Sequence, residues 1–319
     1  MSAISALNSL IQLIESKYTQ ESNDNERKGA AQSSAALTFK WKDIDKTADR
    51  SVLKGLQKYR VLNPDDIRDR EKDPNMEDIL AKYQSLVNKS DGKNGNKYKL
   101  IVLVRHGEGV HNWAKWELFG PEEWKNNQST DLKWKDPHLT KTGVEQVKKI
   151  LPKLQCLKHH LNLIVSSPLN RALETATLAF LPLVEIEKEE EEEDDVVIKH
   201  KYSIPVYVLE YTRERINHHA CDSRNDFDEI KNEWKEYDFE YQGFDTNKDM
   251  LWTDKEDENR EFLWMRSGKM MQFIFEKDAN VVIYSGHCDF IMSLMELILD
   301  MPFYKPRNAA FFPLILTTV

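Results

Sequence analysis

The pentapeptide Leu100-Ile101-Val102-Leu103-Val104 runs without a break into Arg105-His106-Gly107. An apolar run of this length with no polar alternation predicts a strand buried on both faces, as in a parallel sheet covered by helices. In open sheets of that kind ligands bind beyond the carboxyl ends of the strands. The junction would place a nucleophilic imidazole, a permanent positive charge and a glycine that permits close backbone approach at that edge. Those groups suit phosphoryl transfer through a phosphohistidine.

The chain beyond Tyr98 reads the same way. Candidate strands Leu161–Val165, Ile204–Val208, Val281–Tyr284 and Phe312–Thr317 alternate with candidate helices. One helix starts near Thr140, a suitable N-cap, and would bury Val144, Val147, Ile150, Leu151 and Leu154. Another follows Pro168, which suits a first helical turn. Two more span Phe262–Phe275, with Phe262, Leu263, Met270, Phe273 and Ile274 inward, and Phe290–Leu299. The expected fold class is α/β, a three-layer α/β/α sandwich with a mostly parallel central sheet. Residues 1–97 read as an N-terminal extension and 98–319 as the domain, with an acidic insert near 185–200. Within the extension, Met1–Tyr18 has amphipathic helical spacing and Gln20–Ser34 is polar. Phe39–Asp69 shows no clear period, and Met76–Val87 predicts a helix with Ile79, Leu80, Tyr83 and Leu86 on one face. The Asp-Gly and Asn-Gly pairs of 89–96 mark a linker.

Composition narrows the partners. A net charge of −9 makes nucleic acid a poor one, and much of the excess lies in the tract 187–195, expected to be a solvated surface loop. Cys156, Cys221 and Cys288 form no C-x-x-C pair, which argues against a disulfide framework and for a reducing, cytoplasmic or nuclear compartment. No apolar stretch approaches the length of a membrane span, and the first segment lacks the features of a signal peptide. The expected partner is a small phosphorylated substrate, with no nucleic acid and no membrane; oligomeric state stays open.

Further chemistry-bearing groups follow the candidate strands. They are Ser166-Ser167-Pro168-Leu169-Asn170-Arg171, the run Glu210 to Arg215 with His218, His219, Cys221, Asp222 and Arg224 nearby, and Ser285-Gly286-His287-Cys288-Asp289. Histidines, arginines and a carboxylate gathered at strand ends could hold a tetrahedral dianion while a nitrogen attacks phosphorus in line. These segments resemble the histidine phosphatase superfamily in its phosphoglycerate-mutase-like branch. Arg105-His106-Gly107 with Asn112, Leu139-Thr140-Lys141-Thr142-Gly143-Val144-Glu145-Gln146, Ser167-Pro168-Leu169-Asn170-Arg171-Ala172 and His287 match its motifs in order, over about residues 98–319.

The resemblance implies a phosphoglycerate-mutase-like fold and a phosphomonoester phosphatase, with a phosphomutase or a catalytically weak binding protein on the same fold as alternatives. It implies that His106 becomes phosphorylated, that Arg105, Arg171 and His287 bind the transferring oxygens, and that Asn112 and Arg215 add substrate contacts. Either Glu214 or Glu210 would protonate the leaving oxygen. No cofactor is expected, and no metal is needed where fixed cations neutralise the oxygens. His218, His219 and Cys221 lack a second ligand pair, so a structural role is expected. His111 is open between substrate contact and packing. Trp113, Trp116, Phe119, Trp124 and Trp134 would form a wall over the pocket, or pack ordinarily. Two departures from the family pattern stand out: Asp289, which would bring negative charge near the phosphate if it points inward, and Asn217 in place of a glycine, tolerant of positive φ.

Overall fold

The computed structural model describes residues 59–67, 73–89, 98–192, 196–299 and 304–318, with the backbone alone at 187–192, 196–198 and 318. The segments Met1–Tyr18 and Gln20–Ser34, most of 39–69 and the linker residues 90–96 lie outside these residues.

A seven-stranded sheet forms the middle layer. Its strands are β1 (Tyr59–Val61), β2 (Tyr98–Arg105), β3 (Leu163–Ser166), β6 (Val206–Leu209), β7 (Glu240–Gln242), β8 (Val281–Gly286) and β9 (Phe311–Thr318), in the order β1-β9-β2-β8-β3-β6-β7. The run from β2 to β7 is parallel throughout; β9 is antiparallel to both neighbours. The alternation of β2 explains the layers. Leu100, Val102 and Val104 face a core that contains helix α1 (Met76–Lys89), α2 (Lys141–Lys148) and α3 (Asn170–Ala179). Ile101 and Leu103 face the opposite core, closed by α5 (Arg260–Glu276) and α6 (Cys288–Leu299). A strand apolar at every position is therefore a strand with a helical layer on each side. A further helix, α4 (Phe227–Glu233), precedes β7. Thr140 caps α2 by accepting from Gly143 N–H, as its position predicts.

The structure corrects several expectations. Residues 59–67 and 73–89, assigned to the extension, belong to the domain. β1 pairs with β9, the buried Asn63 side chain bridges Pro313 O and Ile315 N, and Ile79, Leu80 and Tyr83 of α1 sit in the core beside β2. The described part of the acidic tract, residues 187–192, is not a loop. It lies in β4 (Glu185–Glu192), antiparallel to β5 (Val196–Tyr202), with Glu189 in register with Lys199 and Glu187 with Lys201. Pro168 precedes the N-cap of α3 rather than entering its first turn, and Phe262 is only half-buried.

Because α1 completes the core, Ile79→Ala should lower the unfolding free energy by about 2–5 kcal/mol in urea denaturation. A change within about 0.5 kcal/mol would mean that α1 is an appendage.

Candidate active site

Strand register assembles the centre. Arg105 pairs with Gly286 and Ser166 with Ser285, so His106, Ser167 and His287 emerge together where the parallel strands end. The pairing extends one residue further: His106 N donates to Gly286 O at 2.9 Å and Ser167 N to Ser285 O at 3.0 Å. The His106 and His287 ring centroids lie 5.2 Å apart.

The loop after β2 is shaped by the start of α2. A Cβ on Gly107 would fall 2.6 Å from Gly143 O, and one on Gly143 would fall 2.1 Å from Glu108 O, so both glycines are required for this close approach. Gln146 Oε1 accepts from Glu108 N, and Thr140 Oγ1 donates to Glu108 Oε1 at 2.6 Å. Thr140, Gly143 and Gln146 thus act on the loop that carries His106.

His106 Nδ1 faces Gly107 O at 2.6 Å, so that nitrogen carries the proton and Nε2 presents a lone pair. Arg171 Nε donates to this lone pair at 3.3 Å. The fully buried Arg171 also donates to Cys221 O at 2.7 Å and to Asp222 Oδ1 at 3.3 Å. Burial, then Arg171 and Arg105, hold the His106 pKa well below 6.5. Burial and Arg171 depress His287 and His111 likewise. All three imidazoles are neutral at neutral pH. His287 Nε2 lies 2.7 Å from Ser167 Oγ. Arg105 donates to Pro306 O, and its Nε is buried without a partner among the described residues, as is His287 Nδ1.

The two candidate acids differ. Glu214 is half-buried, and its Oε1 accepts from Arg215 N–H and from Asp289 and Phe290 N–H at the start of α6. Burial and the nearby Asp289 raise its pKa to about 7, against the pull of these bonds and of Arg171 and Arg105. Glu210 Oε1 instead takes both Arg213 and Arg224, and Arg213 is bound by Asp249 as well. That network ties Glu210 into the scaffold. Asp289 does bring charge to the site, where it raises Glu214 and Asp222.

The other sequence candidates fall in different places. Asn112 is committed to its own loop: its Oδ1 accepts from Gly109 N and Asn308 Nδ2, and its Nδ2 meets His111 Nε2. Arg215 Nε donates to Glu258 O, and among the described residues it makes no hydrogen bond to the His106 cluster. His219, Cys221 and Asp222 have ligand-type atoms within 4.8 Å of one another, but the Asp222 carboxyl is already engaged by Arg171. The aromatic set divides. Phe119, Trp124 and Trp134 pack together against Ala220 and Cys221, whereas Trp113 and Trp116 are exposed. Asn217 is not at positive φ; it accepts from His219 N instead. Sequence reasoning gave no role to Ser167 beyond its motif, and none to Asp222 as the partner of Arg171. Asp136, whose Oδ1 accepts from Asn170 N at the start of α3, was not singled out at all.

Part of the chain is similar to known proteins. Residues 101–195 match the histidine phosphatase superfamily (branch 1). The "Probable phosphoglycerate mutase" of Arthroderma benhamiae is 30% identical over 212 residues, covering 63% of this chain and 58% of that protein. The "Phosphoglycerate mutase-like protein" of Arabidopsis thaliana is 27% identical over 213 residues, covering 63% of this chain and 74% of that protein. The chain is thus similar to the histidine phosphatase superfamily over residues 101–195, and it spans less than two thirds of the length of the Arthroderma benhamiae relative. Among solved structures, ecdysone phosphate phosphatase from Bombix mori in complex with tungstate aligns over 67% of this chain and 88% of that one, at 17% identity and a TM-score of 0.42. No described helix is long and apolar enough to cross a membrane.

Glu214 binds its proton more tightly in the fold, with a pKa of about 7, than at its ordinary value of 4.5. The resulting stabilisation is complete at pH below the ordinary value and is lost as pH rises through about 7. Glu214→Gln keeps an oxygen for the α6 N–H groups. Relative to the wild type it should be more stable near pH 8 than near pH 5, by about 3 kcal/mol at most. Paired denaturation curves with the same difference at both pH values would contradict the assignment.

Proposed function

We propose that the protein is a phosphomonoester phosphatase that works through phospho-His106. The observation that carries this reading is the buried imidazole with its proton held on Nδ1 by Gly107 O and its Nε2 lone pair beside Arg171. His106 Nε2 attacks phosphorus, the ester P–O bond breaks, and the Glu214 carboxyl gives its proton to the leaving oxygen. The Glu214 carboxylate then takes a proton from water, whose oxygen attacks the phosphohistidine. Inorganic phosphate leaves and His106 is restored. Arg105, Arg171 and His287 bind the phosphoryl oxygens, with fixed donors acting where charge builds in the transition state. Asn112 supports this set by orienting its loop, and Arg215 extends it only if its guanidinium turns from Glu258. The free cysteines fit a reducing cytoplasmic or nuclear compartment.

The names of the curated relatives favour a second reading, a phosphoglycerate-type mutase. A mutase returns the phosphoryl group to the bound acceptor and must keep water from the phosphoenzyme. Incubation with a phosphoglycerate, followed by measurement of isomer against inorganic phosphate, separates the two; inorganic phosphate is expected.

His106→Ala should abolish turnover of an aryl phosphate, and retained turnover would overturn the proposal. Glu214→Gln should slow hydrolysis of alkyl phosphates by about 10²–10⁴-fold, and of aryl phosphates less, because an aryl oxide leaves without help. Since the acid must be protonated, wild-type kcat/KM should fall as pH rises through about 7, and the fall should vanish in Glu214→Gln. The same pH limb in both proteins would assign the proton to another group.

A further inference from the structure

His111 is the third imidazole of the centre, with its ring centroid 5.9 Å from that of His106. Its tautomer follows from its neighbours. Asn112 Oδ1 receives both Gly109 N–H and Asn308 Nδ2–H at 3.0 Å, which fixes the orientation of the amide. Asn112 Nδ2 therefore donates to His111 Nε2, at 2.9 Å. A neutral ring that accepts at Nε2 carries its single proton on Nδ1. That Nδ1–H is buried and has no partner among the described residues. An unsatisfied buried donor is destabilising, and such an exception needs a reason.

The space beside this donor supplies the reason. A Cβ on Gly109 would lie 2.8 Å from both Nδ1 and Cε1 of His111 and 3.4 Å from Arg171 Cδ. The gap between the donor edge of His111 and the stem of Arg171 is thus kept clear by a glycine. Arg171, His106 and Arg105 are the charged or titratable groups that His111 feels first, with His219 next.

We infer that His111 Nδ1–H is a further substrate-binding donor, held by Asn112 and aimed at a non-bridging oxygen of the phosphoryl group that His106 receives. The inference rests on the phosphatase reading. It gives the Gly109-Val110-His111-Asn112 segment one purpose: glycine for room, histidine for the donor, asparagine for the tautomer. His106 offers a lone pair to phosphorus while His111 offers a proton to oxygen, and their neighbours fix these opposite tautomers. No proton is transferred by His111; the bond is made as the phosphoryl group enters and strengthens as charge spreads over its oxygens.

Two substitutions in the full chain give opposite rankings. His111→Asn keeps an N–H near the Nδ1 position and gives up the contact with Asn112. His111→Gln keeps an oxygen near the Nε2 position for Asn112 and has no donor near Nδ1. If the donor matters, His111→Asn retains kcat/KM for an aryl phosphate and affinity for orthovanadate, and His111→Gln loses about 10- to 100-fold in both. If His111 only packs and positions its loop, the ranking reverses or both variants equal the wild type, and the inference is overturned. Vanadate affinity decides the matter even without turnover. An inactive wild type with His106→Ala unchanged would count against the phosphatase reading, whereas the Asn-against-Gln ranking bears on His111.

Discussion

The hydrogen bond from His106 Nδ1 to the carbonyl of its own neighbour, Gly107, is the interaction on which the site depends. It selects the tautomer, and the tautomer leaves the lone pair on Nε2, beside Arg171. The carbonyl can be there only because the loop after β2 lies against the start of α2. Two glycines without side chains, a threonine cap and a glutamine hold that loop in place. A motif some distance along the chain therefore holds the loop that carries His106.

The electrostatics of the resting site are consistent with this geometry. Two guanidinium groups stand beside three imidazoles, and burial together with those cations keeps every imidazole neutral. The carboxyls respond in the opposite direction. Burial raises Glu214 to about 7 and Asp222 to about 8, despite the cation beside them. Arg171, 3.3 Å from Asp222 Oδ1, pulls the Asp222 carboxyl back toward its charged form against that burial. A half-buried carboxyl with a pKa of about 7 has the proton affinity that a general acid needs near neutral pH.

Much of this was legible in the sequence because its signals are local. The unbroken apolar run gave β2 and its two covered faces, and the motifs at strand ends pointed to His106, Arg171, His287 and either Glu214 or Glu210 as candidates. What was not legible depends on partners far along the chain. β1 is defined by pairing with β9, and Asn63 reads as a loop residue until Pro313 and Ile315 lie beside it. The acidic tract gained a strand from β5, which no property of the tract itself announces. Roles that depend on orientation were hidden as well. Glu210 and Glu214 share a segment and a residue type, but one is held by two arginines and the other by the N–H groups of α6. Asn112 matched a motif position, yet its amide serves its own loop and His111.

The most direct test of the central claim is the protonation of His106 itself, read from ring ¹⁵N chemical shifts in histidine-labelled protein, with His106→Ala for assignment. The account predicts a neutral ring with the proton on Nδ1 and none on Nε2, and no titration as pH is lowered through 6.5. A proton on Nε2, or titration near that ordinary value, would contradict it.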